Sequence, residues 1–600
     1  TFRLGMARSL SLVAILSLLL ALSREANSID VNVCDEKSTP GNWFIYCSGR
    51  ILEAVNYHQL YNDSKEFVDM PMKAKPQDVK SAFDQKFGTL DIADIQKEDL
   101  LHFINDKFSP AGNELLNCTP SDWEERPRRL AAISDPLLRD WAMDLNAIWR
   151  RLCRKMHPDF ETERDRHSLI LVPNAFIAPG GRFREFYYWD TYWIIKGLIA
   201  SGMTKTARDM IDNLGHVISM YGFIPNGGRI YYLQRSQPPF FAAMAFEYYQ
   251  ATRDKQFIRQ IIPLIEKEQL FWHTQRSVNL TTGSGGVFEF FQYRTASNVP
   301  RPESFRADMK SAEGVPAEER PAFFQNVASA AETGWDFSTR WFSDGSSFHK
   351  MATTDVVPID LNSLQCWNLR ILAYLNEEIG KHDEAASYQA KVDSFQAALA
   401  QVFYSEDEGG WFDLNVKSGK LNRRFFVSNA APLFTGCYDR IDNTKSERIF
   451  KDMKAAGAFN FSSGVPVSMV ASGQQWDFPN GFAPLNHMLI EGLRKSENPD
   501  MQKQAFQLAE KWIFGNFKVF RDTKLMWEKY DVIGKEASPG SGGEYNVQDG
   551  FGWSNGAILD LLVTYGDVLR VPDELRGGGA TLFSLLSSFP TLLFLLLNLN

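Results

Sequence analysis

Two stretches of this 600-residue chain combine charged and aromatic side chains with Gly and Pro. They are PGGRFREFYYWDTYW at residues 179–193 and QWDFPNGFAP at residues 475–484. Because turns built on Gly and Pro present side chains into a cleft, neither stretch suits a helix core or a solvated face. Aromatic rings cover the apolar faces of a pyranose, while Arg, Asp and Glu bind its hydroxyl groups. The two stretches therefore predict carbohydrate chemistry.

Hydrolysis of a glycosidic bond needs a proton for the leaving oxygen and a nucleophile for the anomeric carbon, and two carboxyl groups usually supply these roles. Asp336 lies in ETGWDFSTRW, directly between Trp335 and Phe337. A carboxyl group among aromatic side chains is desolvated, which raises its pKa and keeps a proton available near neutral pH. Asp336 is therefore a candidate general acid; the alternative interpretation is a helix N-cap.

Two glutamates late in the chain compete for the second role. Glu528 opens the segment EKYD, and Glu544 follows Gly542 and Gly543 in GGEY. The two glycines allow backbone and carboxylate to approach a ligand closely. The residue pattern alone leaves both glutamates open.

The first two stretches closely resemble the two signature segments of trehalases, the glycoside hydrolases that split α,α-trehalose into two glucose molecules. The chain resembles the membrane-anchored animal and insect type. Four further segments are similar to that family and follow in its chain order: GFIPNGGRIYYLQRSQPP (222–239), RPESF (301–305), ETGWDFSTRW (332–341) and EKYD…GGEYNVQDGFGWSNG (528–556). The resemblance covers roughly residues 40–570. It implies hydrolysis of α,α-trehalose by single displacement with inversion.

The resemblance also assigns roles to individual residues. Asp336 matches the general acid, and Glu528 matches the general base that activates water, while Glu544 matches a ligand of sugar hydroxyls. The implied substrate-binding residues are Arg182, Phe183, Trp189, Asp190, Asn226, Arg235, Ser236, Gln237, Arg301, Pro302, Glu303, Gly334, Trp476 and Glu544. No cofactor and no metal ion is implied.

Each binding residue also has a purely structural interpretation. The arginines could form ion pairs, and Trp189 and Trp476 could pack in the core. Asp190 could cap a helix that begins near residue 192, and Asn226 could make a turn. Phe482 departs from the family, which usually has Trp there, so we expect an altered sugar contact without loss of activity.

Helical periodicity dominates the rest of the chain. Apolar residues recur at helical spacing on two faces, Ala207/Met210/Ile211/Leu214/Val217/Ile218 and Tyr388/Val392/Phe395/Leu399/Val402. A short alternating stretch at residues 228–234 predicts a β-hairpin within a loop. Helix–loop–helix units without a linker favour one all-α toroid. The resemblance sharpens this to an (α/α)6 barrel whose active-site loops lie at one mouth.

The chain ends resemble targeting segments. Met6, Arg8 and the apolar run at 10–22 predict a secretory signal over residues 1–28, with residues 1–5 upstream of the initiator or a translation artefact. The catalytic domain is then expected over residues 29–576. Three glycines followed by an apolar tail predict a GPI-attachment signal over residues 577–600, with a single C-terminal membrane span as the alternative. We therefore expect the protein to be located at the extracellular face of the cell membrane, or to be released as a shed soluble form.

Six cysteines suit an oxidising compartment, and Cys34–Cys47 is the obvious local disulfide candidate. Four Asn-X-Ser/Thr sequons begin at Asn62, Asn117, Asn279 and Asn460.

The net charge is −9 and the basic residues are scattered, which disfavours a nucleic acid partner. The sequence contains neither CxxC nor HExxH, so a metal site has little support. The expected partners are trehalose, water and the membrane, and no obligate protein partner is evident.

Two other functions remain open. One is a different (α/α)6 glucosidase, or a phosphorylase that uses phosphate as nucleophile and would need a basic cluster or a glycine-rich nest. The other is a catalytically silent sugar-binding protein, which the presence of both candidate carboxyl groups disfavours.

Overall fold

The computed structural model describes residues 33–34, 37–281, 285–438, 444–534 and 537–576. Helices are the main elements. In chain order they are α1 (Trp43–Tyr46), α2 (Arg50–Tyr57), α3 (Ser64–Val68), α4 (Pro76–Phe87), α5 (Lys97–Lys107), α6 (Arg128–Ala131), α7 (Pro136–Leu152), α8 (Asp190–Ala200), α9 (Thr204–Tyr221), α10 (Phe241–Thr252), α11 (Lys255–Gln275), α12 (Phe305–Ser311), α13 (Arg320–Glu332), α14 (Ile359–Glu378), α15 (His382–Phe403), α16 (Ala431–Thr435), α17 (Thr444–Ala455), α18 (Ala483–Arg494), α19 (Pro499–Thr523), α20 (Gly552–Thr564) and α21 (Asp573–Arg576).

The strands are short and lie in the connections between helices. They are β1 (Leu115–Asn117), β2 (Cys153–Met156), β3 (Phe176–Ile177), β4 (Ser277–Thr281), β5 (Val287–Phe291), β6 (Val356–Val357), β7 (Tyr404–Ser405), β8 (Gly410–Trp411), β9 (Leu414–Asn415), β10 (Lys420–Leu421), β11 (Asn480–Phe482), β12 (Lys529–Asp531) and β13 (Ser538–Pro539). They form small antiparallel sheets in the orders β1-β2-β3, β10-β9-β6, β11-β12-β13, β4-β5 and β7-β8.

Six helices pack side by side into a closed inner ring in the order α8, α10, α14, α16, α18, α20, and α20 returns to α8. These helices are buried on most sides, and α18 is buried along its whole length before Arg494. A helix that is hydrophobic all round belongs in the interior of a large protein. The ring is therefore the core of the fold.

A second layer of helices covers the ring. Helix α7 packs on α20, α9 on α8 and α10, α11 on α10 and α14, α15 on α14, and α19 on α18 and α20. The predicted apolar face of α9 is buried, and α15 buries Val392 and Leu399 while its other predicted apolar residues are half-buried. Inner and outer helices alternate along the chain, with α17 following α16. The predicted (α/α)6 barrel is confirmed.

The motifs noted in the sequence precede inner helices. Residues 179–189 lead into α8, residues 222–239 into α10, residues 475–482 into α18, and residues 528–551 into α20. The segments 301–305 and 332–341 belong to the long connection before α14. Because each inner helix is followed by an outer helix that returns, the N-terminal ends of the inner helices face the same mouth. The motifs therefore gather at that mouth.

The hairpin predicted at residues 228–234 is wrong. The segment forms a 3-10 turn at Ile230–Tyr232, and all three residues of that turn are buried. Alternation predicts a strand only when one face meets solvent, and here neither face does.

Three disulfides join Cys34 to Cys47, Cys118 to Cys153 and Cys366 to Cys437, so the predicted local pair is confirmed. In the part of the chain that the structure describes, no helix has both the length and the apolar run needed to cross a bilayer. The predicted signal (1–28) and tail (577–600) lie outside the described residues.

Candidate active site

Pairing of β11 with β12 brings the second signature stretch close to the segment that begins at Glu528. These strands pair with Phe482 opposite Lys529, which places Glu528 beside the second signature stretch. The backbone N–H of Trp476 donates to the carbonyl of Phe337 at 3.1 Å, which places the same stretch beside Asp336. Residues distant in sequence by almost two hundred positions therefore meet at one place.

A pocket at the barrel mouth, called here the sugar pocket, takes side chains from every motif. The predicted residues that line it are Arg182, Phe183, Trp189, Asp190, Asn226, Arg235, Gln237, Arg301, Glu303, Gly334, Asp336, Trp476, Glu528 and Glu544. Ser236 and Pro302 lie beside the pocket without lining it. Ser236 is fully buried and its backbone N–H donates to Glu332, while Pro302 is buried in a 3-10 turn at Pro302–Ser304.

Asp336 is enclosed by aromatic residues, as its sequence context predicts. The flanking Trp335 and Phe337 are each 1% exposed. Burial raises the pKa of Asp336 from 3.8 to about 7, Arg301 acts against this rise, and Glu544 adds to it. The carboxyl group is thus half-protonated near neutral pH and suits proton donation.

Glu528 is 3% exposed and is held by hydrogen bonds from the late run. The hydroxyl group of Tyr545 donates to Oε1 at 2.7 Å, and the backbone N–H of Gln548 approaches Oε2 at 3.4 Å. The indole of Trp553 donates to its backbone carbonyl at 2.9 Å. These donors fix the orientation of the Glu528 carboxyl group in the pocket.

The three arginines line the pocket and are also held by carboxylates. Arg182 donates two hydrogen bonds, of 2.6 and 2.8 Å, to the carboxylate of Asp63. Arg235 forms an ion pair with Glu303. Arg235 and Arg301 lower the pKa of Glu303 against the effect of its burial. The two interpretations of the arginines are therefore compatible: ion pairs fix the guanidinium groups so that their remaining N–H groups can serve a ligand.

Arg301 connects the pocket carboxylates. It donates to Asp308 at 2.6 Å and to both oxygens of Glu544 at 2.9 and 3.0 Å. Burial raises the pKa of Glu544, and the charge of Arg301 opposes this. Glu544 therefore lines the pocket as a carboxyl group that is paired with the guanidinium group of Arg301.

Asp190 is another buried carboxyl group in the pocket. Burial raises its pKa to about 8, and the negative charges of Glu528 and Asp336 act in the same direction. It is the first residue of α8, and the N-cap position belongs to Trp189, so the interpretation of Asp190 as the N-cap is wrong. A protonated Asp190 can donate a hydrogen bond to a sugar oxygen.

Aromatic rings close the pocket. Trp189 and Trp476 pack at 5.7 Å between ring centroids, and both also approach Trp553. Phe482 stacks behind Trp476 at 3.6 Å, is fully buried and does not line the pocket. Any effect of the Phe482 departure on a sugar therefore passes through the Trp476 ring.

Sequence reasoning missed several residues of the site. Tyr187, Tyr232, Tyr545, Phe551 and Trp553 also line the pocket. Tyr545 directly follows Glu544 and Trp553 ends the run GFGW, so their place in the late motif was the available signal.

Lys529 was also missed, and it connects the two catalytic candidates. Its Nζ donates to Gln475 at 2.7 Å and to the carbonyl of Gly542 at 3.0 Å. Gln475 in turn donates to the backbone carbonyl of Asp336. Burial lowers the pKa of Lys529, while Glu528 and Asp336 oppose this. Through Gln475, Lys529 therefore connects the backbone at Asp336 to the start of β12, which directly follows Glu528.

A wider cleft of about 1400 Å³, called here the outer cleft, adjoins the sugar pocket. Arg182, Glu303, Ser304, Glu544 and Tyr545 line both spaces. Helix α2 and the segment before α3 form part of the cleft wall. Within the described ranges, no cluster of His, Cys, Asp and Glu has a metal-binding arrangement.

The sequence model of the trehalase family matches residues 59–566. The trehalase of Oryctolagus cuniculus is 40% identical over 534 residues, covering 88% of this chain and 91% of the relative. The trehalase of Apis mellifera is 38% identical over 545 residues, covering 90% of this chain and 87% of the relative. The solved structure of neutral trehalase Nth1 from Saccharomyces cerevisiae is similar in fold, with a TM-score of 0.52, 23% identity, and coverage of 67% of this chain and 78% of that one. The chain belongs to the trehalase family of glycoside hydrolases.

Proposed function

We propose that this protein hydrolyses α,α-trehalose to two glucose molecules by a single displacement with inversion. One observation carries the proposal: Asp336, with a pKa of about 7, and Glu528, held by a hydroxyl donor, line the same aromatic pocket. An acid that holds its proton near neutrality, together with a second carboxyl group in the same pocket, is the pair that glycoside hydrolysis requires. The trehalase relatives support the choice of substrate.

In this mechanism Asp336 gives its proton to the oxygen that bridges the two glucose rings. The C–O bond breaks, and its electron pair stays on that oxygen, which becomes a hydroxyl group of the second glucose. Glu528 removes a proton from a water that attacks the anomeric carbon from the opposite face. The attacked glucose leaves as the β-anomer and the other as the α-anomer. Inversion requires the two carboxyl groups to lie roughly 6.5–9.5 Å apart so that the water fits.

The remaining pocket residues bind and orient the disaccharide. Arg182, Arg235 and Arg301 donate to hydroxyl groups, while Glu303 and Glu544 accept from them. Trp189, Trp476 and Phe183 cover apolar ring faces, and Asn226, Gln237 and protonated Asp190 complete the polar contacts. Gly334 allows Trp189 to approach, because a Cβ there would lie 2.8 Å from its ring. Ser236 and Pro302 act indirectly, by holding the segments that carry Arg235 and Glu303.

The roles of the carboxyl groups are tested by Asp336→Asn and Glu528→Gln in the purified protein. Each change should lower kcat by about 10²–10⁴-fold, the usual contribution of general acid–base catalysis. Asp383→Asn and Glu384→Gln, both exposed in the first turn of α15, are matched controls that should leave turnover unchanged. A folded Asp336 or Glu528 variant that hydrolyses trehalose at nearly the full rate would contradict the assignment.

We further propose that the protein is exported and tethered to the extracellular face of the membrane through its C-terminal tail. The three disulfides support export, because such bonds persist in oxidising compartments. Phosphatidylinositol-specific phospholipase C should release activity from intact cells if the tail is exchanged for a GPI anchor. Activity that stays with the cells after this treatment, yet is solubilised by detergent, would instead indicate a membrane span.

A further inference from the structure

One of the four glycosylation sequons lies at the entrance to the sugar pocket. Asn62, the first residue of Asn62-Asp63-Ser64, lines the outer cleft. Asn117, Asn279 and Asn460 are also exposed, but they line neither the outer cleft nor the sugar pocket. A substituent on Asn62 would therefore act where substrates enter, whereas one on the other three would not.

The local structure leaves the Asn62 side chain free to carry a substituent. Its backbone carbonyl accepts a hydrogen bond from Arg306, which fixes the main chain. Its side-chain amide is exposed and makes no hydrogen bond to any residue that the structure describes. The folded protein can therefore accommodate a bulky group on Nδ2 without losing a contact of that amide.

The sequon is directly connected to the pocket. Asp63 caps α3 by accepting from the backbone N–H of Lys65, and it also grips Arg182. Ser64 is 8% exposed at the start of α3, so the folded sequon does not present its hydroxyl group to an enzyme. Modification must therefore precede the folding of this helix. In the folded protein Asn62 lies next to Asp63 in the chain, and the ion pair of Asp63 with Arg182 therefore fixes Asn62 relative to the pocket.

We propose that Asn62 carries an N-linked oligosaccharide that stands over the outer cleft and limits the size of the glycosides that reach the sugar pocket. The proposal rests on the proposed export, because the modification belongs to the secretory route. In the transfer, Nδ2 of Asn62 loses one proton and forms a bond to C1 of the sugar. The bond between C1 and the pyrophosphate oxygen of a lipid-linked oligosaccharide breaks, and the lipid pyrophosphate leaves with the bonding electrons.

The shape of the entrance explains why such a group would select by size. The outer cleft is broad, at about 1400 Å³, and it shares Arg182, Glu303 and Glu544 with the sugar pocket. A disaccharide is small enough to pass beside an oligosaccharide at the rim. A trehalose derivative whose added group is too large for the sugar pocket can bind only with that group in the adjoining outer cleft, where it meets the Asn62 oligosaccharide.

The test uses protein secreted from a eukaryotic host with its full chain. Peptide mass mapping before and after endoglycosidase treatment reports whether Asn62 is occupied. The kcat/KM values for trehalose and for a 6-O-acyl trehalose with a bulky acyl group are then compared in the wild type, Asn62→Gln and Asn279→Gln. Enzymatic trimming of the native protein to single sugar residues gives the same comparison without a substitution, should Asn62→Gln fold poorly.

The proposal predicts an occupied Asn62. It also predicts a rise of roughly tenfold in kcat/KM for the bulky derivative in Asn62→Gln and in the trimmed protein, with trehalose turnover unchanged. Asn279→Gln should match the wild type on both substrates. An unmodified Asn62, or equal turnover of the bulky derivative with and without the oligosaccharide, would overturn the proposal. Neither outcome affects hydrolysis of trehalose itself, so the proposed function is tested separately.

Discussion

Tyr545 donates a hydrogen bond of 2.7 Å to Oε1 of Glu528, and its ring lies under the guanidinium group of Arg182. The ring also contacts Phe183 at 5.6 Å between centroids. One side chain therefore orients the proposed base and packs against two residues of the proposed binding set. This arrangement fixes one oxygen of Glu528, and the other, Oε2, receives a longer contact of 3.4 Å from the Gln548 N–H.

Tyr545→Phe removes the hydroxyl group and keeps the ring. Because hydrogen bonds to charged groups contribute about 1.5–3 kcal/mol, we expect kcat to fall by roughly one to two orders of magnitude. The KM for trehalose should change little, since the ring contacts remain.

A matched control exists outside the site. Tyr388 donates to Glu266 at the same distance of 2.7 Å, on the outer layer of helices. Tyr388→Phe should leave kcat unchanged. A kcat for Tyr545→Phe equal to that of the wild type would show that the tyrosine only packs.

Glu544→Gln should change the pH profile at its alkaline end. The negative charge of Glu544 raises the pKa of Asp336, and Glu544 also binds the Arg301 group that lowers it. Removing this charge lowers the pKa of Asp336, so the acid loses its proton earlier as pH rises. The alkaline limb, expected near pH 7 in the wild type, should therefore move to lower pH.

The measurement is kcat across pH at saturating trehalose, so that the weaker binding expected for Glu544→Gln does not obscure the limb. Glu313→Gln, an exposed carboxylate in the outer cleft, serves as the control and should not move the limb. A limb that moves to higher pH in Glu544→Gln would contradict the charge arrangement described here.

Gly334→Ala should weaken substrate binding through Trp189. The glycine has a φ of +77°, and an added Cβ would lie 2.8 Å from Cζ2 of Trp189. Gly314 has a similar φ of +84°, but a Cβ there meets nothing within 4 Å. Both alanine variants should lose about 1 kcal/mol or more of stability from backbone strain. Only Gly334→Ala should raise the KM for trehalose, and equal KM values in the two variants would refute the link to Trp189.

Asp336→Asn should make the protein relatively more stable as pH rises. The pKa of Asp336 is 3.8 in a model peptide and about 7 when folded, so between these values the folded state holds a proton that the unfolded state has lost. Wild-type stability therefore falls with rising pH in this window. The variant lacks this loss, worth at most on the order of 4 kcal/mol.

Thermal unfolding at pH 4.5 and pH 7.5 measures this difference. The melting temperature of Asp336→Asn relative to the wild type should be higher at pH 7.5 than at pH 4.5, and exposed Asp383→Asn should show no such trend. A difference that stays constant with pH would mean that Asp336 is already charged when folded.

The helical layer of the fold could be predicted from the sequence because its outer helices are amphipathic. The apolar face of α9 follows its spacing residue by residue. The inner helices carry no such contrast, since they are buried on most sides. The helix–loop–helix units predicted an all-α toroid, and only the family resemblance specified an (α/α)6 barrel. The segment 228–234 was misinterpreted because its alternating pattern is entirely buried.

In the site, the aromatic neighbours in the sequence correctly indicated the raised pKa of Asp336, because Trp335 and Phe337 are buried and the carboxyl group between them is buried as well. The partners of the charged residues could not be predicted in the same way. Asp63 forms an ion pair with Arg182 from 119 positions away, and it lies outside all six segments that resemble the family. Phe482 packs behind Trp476 because β11 continues directly into α18 and turns the Phe482 ring toward Trp476. The residue types alone do not reveal this chain geometry.

The stereochemistry of the products tests the central claim most directly. The anomeric proton signals of glucose are followed by NMR from the first moments after the purified enzyme, without residues 577–600, meets α,α-trehalose. A single displacement by water predicts equal initial amounts of α- and β-glucose, followed by slow mutarotation. Initial release of α-glucose alone would mean retention, and would contradict the roles given to Asp336 and Glu528.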